Sequence, residues 1–357
     1  MSTALPPYRR LVVRRFAWTA LACSLLGSVA PPLSAAPQQP VLVSRSGEAL
    51  LELASGETIS ASLPAGASLD VAAALDSGWL AAGTQPGSRD LLLLTGNSQT
   101  VSALPAPPGK TAARRQEPLP LVENGRLAGL VWLEGENRRS LGVRFAAWTG
   151  TAWDTPEVVA PPGPGSQLAL TAAHLHDGTW LLAWSAFDGH DDEIVWSRRV
   201  HGAWSRPQRV AADNSVPDIT PALSVAGNAG DSALLAWSRY EPALGEYRVV
   251  MSRFVQGHWT APEAAAPPGS FYPTFEAAPS GRVRMLYRTA MPQGWEIVEM
   301  DTAGHAVRHA TMITAKTAAE SARPVVSTAA ADTAAVFRWP AAGTQRSIAW
   351  TAEEHKP

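Results

Sequence analysis

The 357-residue chain holds a single cysteine, Cys23, and it lies within the first 35 residues. Removal of that segment leaves no thiol, and disulfides, thiolate catalysis and cysteine–zinc sites are then excluded together. Charge is also scarce, at 17% of residues. Setting aside Arg9, Arg10, Arg14 and Arg15, 25 basic residues face 31 acidic ones, a net charge of −6. That is not the basic face a nucleic-acid partner requires. The longest apolar run, residues 16–30, spans 15 residues and ends at Pro31 and Pro32. It falls short of the ~20 residues a membrane-spanning helix needs. Beyond it no window sustains a helical stripe, and there is no G-x-S-x-G, P-loop or dinucleotide fingerprint.

Residues 1–35 read as a signal peptide. Four arginines form the basic region, residues 16–30 the apolar region, and Leu33-Ser34-Ala35 a cleavage site before Ala36. Residues 36–357 are then one exported domain with no membrane span, periplasmic or extracellular, and expected to be monomeric. Residues 19–23 loosely resemble a lipoprotein box, with Ala20 where Leu is preferred, so lipid anchoring at Cys23 is the lesser alternative. Residues 8–12 faintly resemble a twin-arginine signal.

What the sequence has in plenty is tryptophan, 14 residues, and repetition. Short apolar runs close on Trp132, Trp184, Trp237, Tyr287 and Phe337, and stepping back from Trp132 reaches Ala82. The spacing of these anchors is 50–53 residues. A second series of apolar runs starts some residues after each anchor, and a third carries Trp153, Trp204 and Trp259, each three residues before a proline. Each unit reads as four short strands punctuated by Gly and Pro. Four strands at this period mark a β-propeller, with the anchors packed between blades. Six anchors predict an all-β, six-bladed β-propeller of four-stranded antiparallel blades. The segment 56–66 resembles 97–107, the fourth strand of the first full unit, and is expected to close the ring as an added N-terminal strand. Residues 41–54 read as a further hairpin, which makes seven blades the alternative.

Two stretches, "SRRVHGAWSRP" at 197–207 and "SRFVQGHWTAP" at 252–262, resemble the Asp-box (BNR repeat) of sialidase-like propellers, SxDxGxxW. Ser197 and Trp204 keep the spacing, as do Ser252 and Trp259. Arg199 and Phe254 replace the Asp, and Gly202 and Gly257 come one place late. In that family the box is a structural turn away from the active face. The resemblance thus implies a fold and does not imply sugar chemistry. The family's arginine triad, Tyr–Glu nucleophile pair and Asp acid/base cannot be carried over by motif. Its Phe/Tyr-Arg-Ile-Pro motif is missing, and no Arg occurs between Arg45 and Arg89.

Loops between second and third strands, and between blades, share one propeller face. That face would collect Glu134, Glu136, Arg138 and Arg139, the run Asp188–Glu193, then Arg239, Tyr240, Glu241, Arg288 and Arg338. Arginine presents a bidentate fork, so Arg239, Arg288 and Arg338 are candidates to converge on one carboxylate or sulfate. Tyr240 beside Glu241 sets a phenol next to a carboxylate, although neighbours on a strand point to opposite faces. Asp188, Asp191 and Asp192 are candidate oxygen ligands for Ca²⁺, outside any EF-hand spacing; no cofactor is otherwise expected. His174 and His176 share a strand face without a visible third metal ligand. The expectation is a non-catalytic module that binds a glycan or an envelope protein. A sialidase-like glycoside hydrolase comes second, and a structural subunit of an envelope assembly third.

Overall fold

The computed structural model describes the chain from residue 41 to 349. Residues 1–40 and 350–357 lie outside the description, as do 46–47, 53–57, 86–89, 110–112, 138, 214, 227–231, 278–282, 292–293, 302–305, 314–324, 329–334 and 339–346. The expected signal peptide and Cys23 therefore fall outside it. Among the described residues no helix is long and apolar enough to cross a membrane.

The described residues form seven antiparallel sheets in chain order. Blade one comprises Val41–Arg45, Glu48–Glu52 and Thr58–Ser62. Blade two comprises Ser68–Leu75, Gly78–Gln85, Asp90–Gly96 and Val101–Leu104. Blade three comprises Arg114–Glu123, Arg126–Asn137, Ser140–Ala147 and Glu157–Ala160. Blade four has Gln167–His174, Trp180–Phe187 and Asp192–Val200, with the short Ala203–Trp204 and Gln208–Arg209 both pairing with the third strand. Blade five repeats this with Asp218–Val225, Ala233–Glu241, Glu246–Val255, His258–Trp259 and Glu263–Pro268. Blade six comprises Ser270–Ala277, Val283–Met291, Gly294–Asp301 and Ala306–Ile313. Blade seven comprises Val325–Thr328, Ala335–Arg338 and Ser347–Ala349.

First strands adjoin one another from blade one through blade six, and that of blade seven touches that of blade one. This is the radial order of a β-propeller, as the repeat predicts. The count departs from six. Thr58–Ser62 pairs with Glu48–Glu52 inside blade one rather than completing the last blade. The reason lies in burial: Ala49, Leu51, Ile59 and Ala61 form an apolar face of their own, packed on Leu69, Trp79 and Ala81 of blade two. A segment with its own buried face folds as a sheet.

Strand alternation then explains the core. Successive residues point to opposite faces, so each blade buries two different sets. In blade three, Leu130 and Trp132 face Ala82, Leu91 and Leu93 of blade two. Val131 and Leu133 face Leu182 and Trp184 of blade four. Leu181 and Ala183 of blade four in turn meet Leu235 and Trp237 of blade five, and Ala236 meets Met285 and Tyr287 of blade six. Trp79, Trp132, Trp184 and Trp237 are fully buried. In blade two the expected anchor Ala82 instead faces blade three, and Trp79, on the opposite face of the same strand, supplies the bulk against blade one.

Candidate functional site

Loops joining second to third strands, and the connections between blades, meet at one end of the sheets. At that end the first strands of blades three to six share an irregularity. Pairing slips at Glu117, Ala169, Thr220 and Tyr272, each a non-glycine residue with φ between 50° and 59°. Such a conformation costs about 1–3 kcal/mol and persists only where surroundings hold it. Two residues earlier each strand carries a buried polar side chain: Arg115, Gln167, Asp218 or Ser270. Arg115 binds Glu134 at 3.0 Å, Asp90 of blade two at 3.1 Å and the Pro107 carbonyl at 2.7 Å. Gln167 donates to the Leu141 and Pro161 carbonyls. Ser270 donates to the Pro267 carbonyl and accepts from the Val249 N–H. The bulges are pinned from the preceding blade: Glu117 Oε2 accepts the Ala169 N–H at 2.6 Å, and Ser238 Oγ accepts that of Tyr272 at 3.0 Å.

Arg239 sits opposite Asp218 in register and grips it with Nε at 2.9 Å and a terminal nitrogen at 2.8 Å; the same nitrogen reaches Asp213 at 2.9 Å. Its proton is held more tightly than in a free guanidinium, first by the hydrogen bond to Asp218. Asp218 is fully buried, and burial pushes its carboxyl up despite Arg239. Arg288 lies opposite Phe271, whereas the blade-six counterpart of Arg239 is Thr289, opposite Ser270. Arg239 and Arg288 are thus one register position apart, on opposite faces of their blades. The Arg288 guanidinium is buried over the Tyr272 ring, 4.1 Å from its centroid. Arg338 ends the strand Ala335–Arg338, paired with Val325 and Ser347; its side chain lies outside the described residues. Tyr240 and Glu241 go separate ways, Tyr240 against Tyr247 and Glu241 to Arg248 at 3.1 Å.

The run Asp188–Glu193 forms the loop into the third strand of blade four. Asp188 accepts the N–H groups of His190 and Asp191 and is bound by Arg209. Asp192 is pushed up by burial, then by Asp191 and Asp188. Glu193 is 1% exposed, and neither carboxylate oxygen meets a hydrogen-bond partner among the described residues. Its pKa is pushed up to about 8, chiefly by burial and then by Asp218, with Arg209 opposing and Asp191 and Asp188 adding. Among the described residues no three His, Cys, Asp or Glu side chains converge as a metal-ion ligand set. His174 stacks on Trp180, with ring centroids 4.4 Å apart, and Nε2 lies 3.6 Å from Glu123.

The feature that sequence reasoning did not assemble is a row of rings. Tyr240 meets Tyr247 at 5.3 Å between centroids, Tyr247 meets Phe271 at 5.3 Å, and Phe271 meets Tyr272 at 6.4 Å. All four are partly exposed. Burial raises the Tyr247 phenol first; Asp192, Tyr240, Tyr272 and Asp218 add to it. The row therefore runs across blades five and six and feels a carboxylate of blade four. Its sequence signal was the pair Phe271-Tyr272 before Pro273, together with Tyr247 at the head of a third strand.

The Asp-box-like stretches lie at the opposite end. His201–Gly202 and Gln256–Gly257 make tight turns at positive φ. Ser197 donates to the Ser205 carbonyl at 2.8 Å and Ser252 to that of Thr260 at 2.7 Å. Trp204 packs edge-on to Phe145 of blade three, and Trp259 to Trp196 of blade four. These turns staple neighbouring blades.

No protein-family model and no curated protein matches the chain. Solved structures do. An α-L-arabinofuranosidase from Fusarium graminearum aligns with TM-score 0.50 and 10% identity, over 80% of this chain and 92% of its own. A protein of unknown function from Dyadobacter fermentans aligns with TM-score 0.49 and 14% identity, over 89% and 96%. A prolyl endopeptidase aligns with TM-score 0.48 and 12% identity over 88% of this chain, which spans 47% of that enzyme's length. At 10% identity the likeness to the arabinofuranosidase concerns the fold alone, that of a propeller-like all-β protein.

Proposed function

We propose that this chain is an exported, non-catalytic binding module whose ligand is a glycan, held at the end of blades four to six. The observation that carries this reading is the row Tyr240, Tyr247, Phe271 and Tyr272, partly exposed, with the half-buried Asp192 acting on Tyr247. Rings supply flat apolar faces for the C–H side of a sugar, and carboxylates accept hydrogen bonds from its hydroxyls. Such a pairing on pinned strands is pre-organised, which lowers the ordering cost of binding. The signal-like residues 1–35 support export. The degenerate Asp-box turns support a sialidase-like ancestry of the scaffold and say nothing of its ligand.

A glycoside hydrolase is the second reading, favoured by one observation. Glu193 keeps its proton near neutral pH, the property of a general acid. At 1% exposure it has no face toward a substrate, and binding is therefore preferred. The test is a thermal-shift and calorimetric screen of oligosaccharides against the wild type and Tyr247→Ala. Binding that disappears in Tyr247→Ala, with no turnover of the bound sugar, supports the module. Turnover abolished by Glu193→Gln overturns it in favour of the hydrolase. Binding that survives Tyr247→Ala moves the site elsewhere.

A further inference from the structure

The turns joining third to fourth strands in blades three, four and five project at the end opposite the aromatic row. Each closes on an equivalent pair in register: Trp148 with Trp153, Arg199 with Trp204, and Phe254 with Trp259. The inner side of these pairs staples neighbouring blades, and the outer side has a composition of its own. Between residues 197 and 210 stand four arginines and a histidine without an acid, and residues 252–262 add Arg253 and His258, again without one. The chain beyond residue 35 carries a net charge of −6, so this rim runs against the whole. Arg199 is engaged by Glu157 and Arg209 by Asp188, whereas Arg198 and Arg206 have no carboxylate within ion-pair reach among the described residues. Arg198, His201, Arg206, Arg253 and His258 are all exposed. Arg198 leans across to blade five: a Cβ added at Gly257 would stand 3.4 Å from its terminal nitrogen. The cations of the two turns thus form one patch.

Beside the charges stand amphipathic and apolar groups. Trp148 and Trp153 lie 4.7 Å apart between ring centroids and are partly exposed. Trp153 donates its N–H to the Pro105 carbonyl, in the connection after blade two. Val255, at the head of the blade-five turn, is 46% exposed. The two-residue turns His201–Gly202 and Gln256–Gly257, at positive φ, keep the tips tight. A protruding rim of guanidinium groups, flanked by indoles and an aliphatic tip, matches a plane rather than a thread. Guanidinium forks pair with phosphate, and indoles settle at the level of lipid headgroups. A soluble polyanion would use the charges and leave the indoles and Val255 without a role.

We infer that this rim docks the protein peripherally on a bilayer bearing anionic phospholipid, with Arg198 and Arg206 pairing headgroup phosphates and Trp148 at the interface. The contact is superficial and needs no membrane span. The aromatic row, at the other end of the sheets, is left open to the aqueous side. The inference does not depend on what that row binds.

Every described strand lies within residues 41–349, and Ala35–Pro357 makes one compact unit. The chain is therefore used from Ala36, so that the basic and apolar first 35 residues contribute nothing. The experiment is co-sedimentation with vesicles of phosphatidylcholine, alone or with about one-third phosphatidylglycerol, at about 0.1 M and about 1 M salt. Binding to the anionic vesicles is expected to be at least about ten-fold stronger at low salt, and to fall away at high salt. A basic residue at an anionic surface contributes about five-fold in partitioning, so Arg198→Gln with Arg206→Gln should weaken binding about 25-fold. Arg206→Gln alone, at an exposed position, should weaken it about five-fold and serves if the double variant melts early. Trp148→Ala should lower it several-fold at low salt, a response that a purely ionic contact would not give. Equal binding to both vesicles, binding untouched by the arginine substitutions, or binding to neither overturns the inference. Dextran sulfate bound as tightly as the anionic vesicles, with Trp148→Ala silent towards both, assigns the rim to a soluble polyanion and overturns the bilayer. Thermal melting of each variant separates lost docking from lost fold.

Discussion

Replacing Glu193 with glutamine is expected to flatten the pH dependence of stability. Glu193 is 1% exposed without a hydrogen-bond partner, and its pKa rises from 4.5 to about 8 in the folded chain. Below pH 4.5 the carboxyl is protonated in both states and its titration costs nothing. Between pH 4.5 and 8 the unfolded chain has lost the proton while the native chain keeps it. Stability falls there by about 1.4 kcal/mol per pH unit. The whole interval is worth up to about 5 kcal/mol, and above pH 8 the loss levels off. Glutamine mimics the protonated carboxyl in shape and carries no charge. Glu193→Gln should therefore match the wild type near pH 5 and exceed it by several kcal/mol at pH 8. The assay is urea unfolding of both proteins at half-unit steps from pH 5 to 9, read as a difference curve so that other titrations cancel. A flat difference, or one in which the wild type gains with rising pH, would refute the account of Glu193 as an uncompensated buried acid.

Trp237→Ala, at a fully buried anchor between blades four and five, should cost about 3–5 kcal/mol, measured by urea unfolding. Gly78→Ala should be severely destabilising, because φ is 141° and an added Cβ would lie 2.0 Å from the Gly96 carbonyl oxygen; thermal melting decides it. Ser252→Ala removes the donor to the Thr260 carbonyl and the Arg253–Thr260 turn it supports, at about 1–3 kcal/mol, while ligand binding at the opposite end stays unchanged. Deletion of residues 36–66 strips the apolar cover from Trp79 and should lower the melting temperature by many degrees; an unchanged melt would show blade one to be dispensable.

The architecture was legible where bulk repeats. Trp132, Trp184, Trp237 and Tyr287 are large residues at a fixed period, and the same period governs the blades they fill. The count was less legible: blade one has no anchor of its own, and its claim to be a sheet rests on small residues such as Ala49 and Ala61. The fate of the arginines was hidden for another reason. The partner of Arg239 is Asp218, 21 positions back and brought opposite only by strand register, which a slip at Thr220 has already displaced. The slips leave no mark of residue type, since Glu117, Ala169, Thr220 and Tyr272 share no chemistry. The aromatic row lay across three strands of two blades, and no spacing within the chain announces it.

The packing between blades has a direction. Trp79, Trp132, Trp184, Trp237 and Tyr287 each face the blade that precedes them in the chain, and so do Trp204 and Trp259. A chain delivered amino end first lays each new blade on a surface already made. Its largest apolar side chains find their bed as soon as they emerge, and little of them waits in water for something not yet synthesised. A circular permutant opened between blades three and four would keep most of these contacts in the finished ring. It would nevertheless deliver Trp184 before the blade three surface that receives it, and should lose yield in folding well before it loses stability once folded.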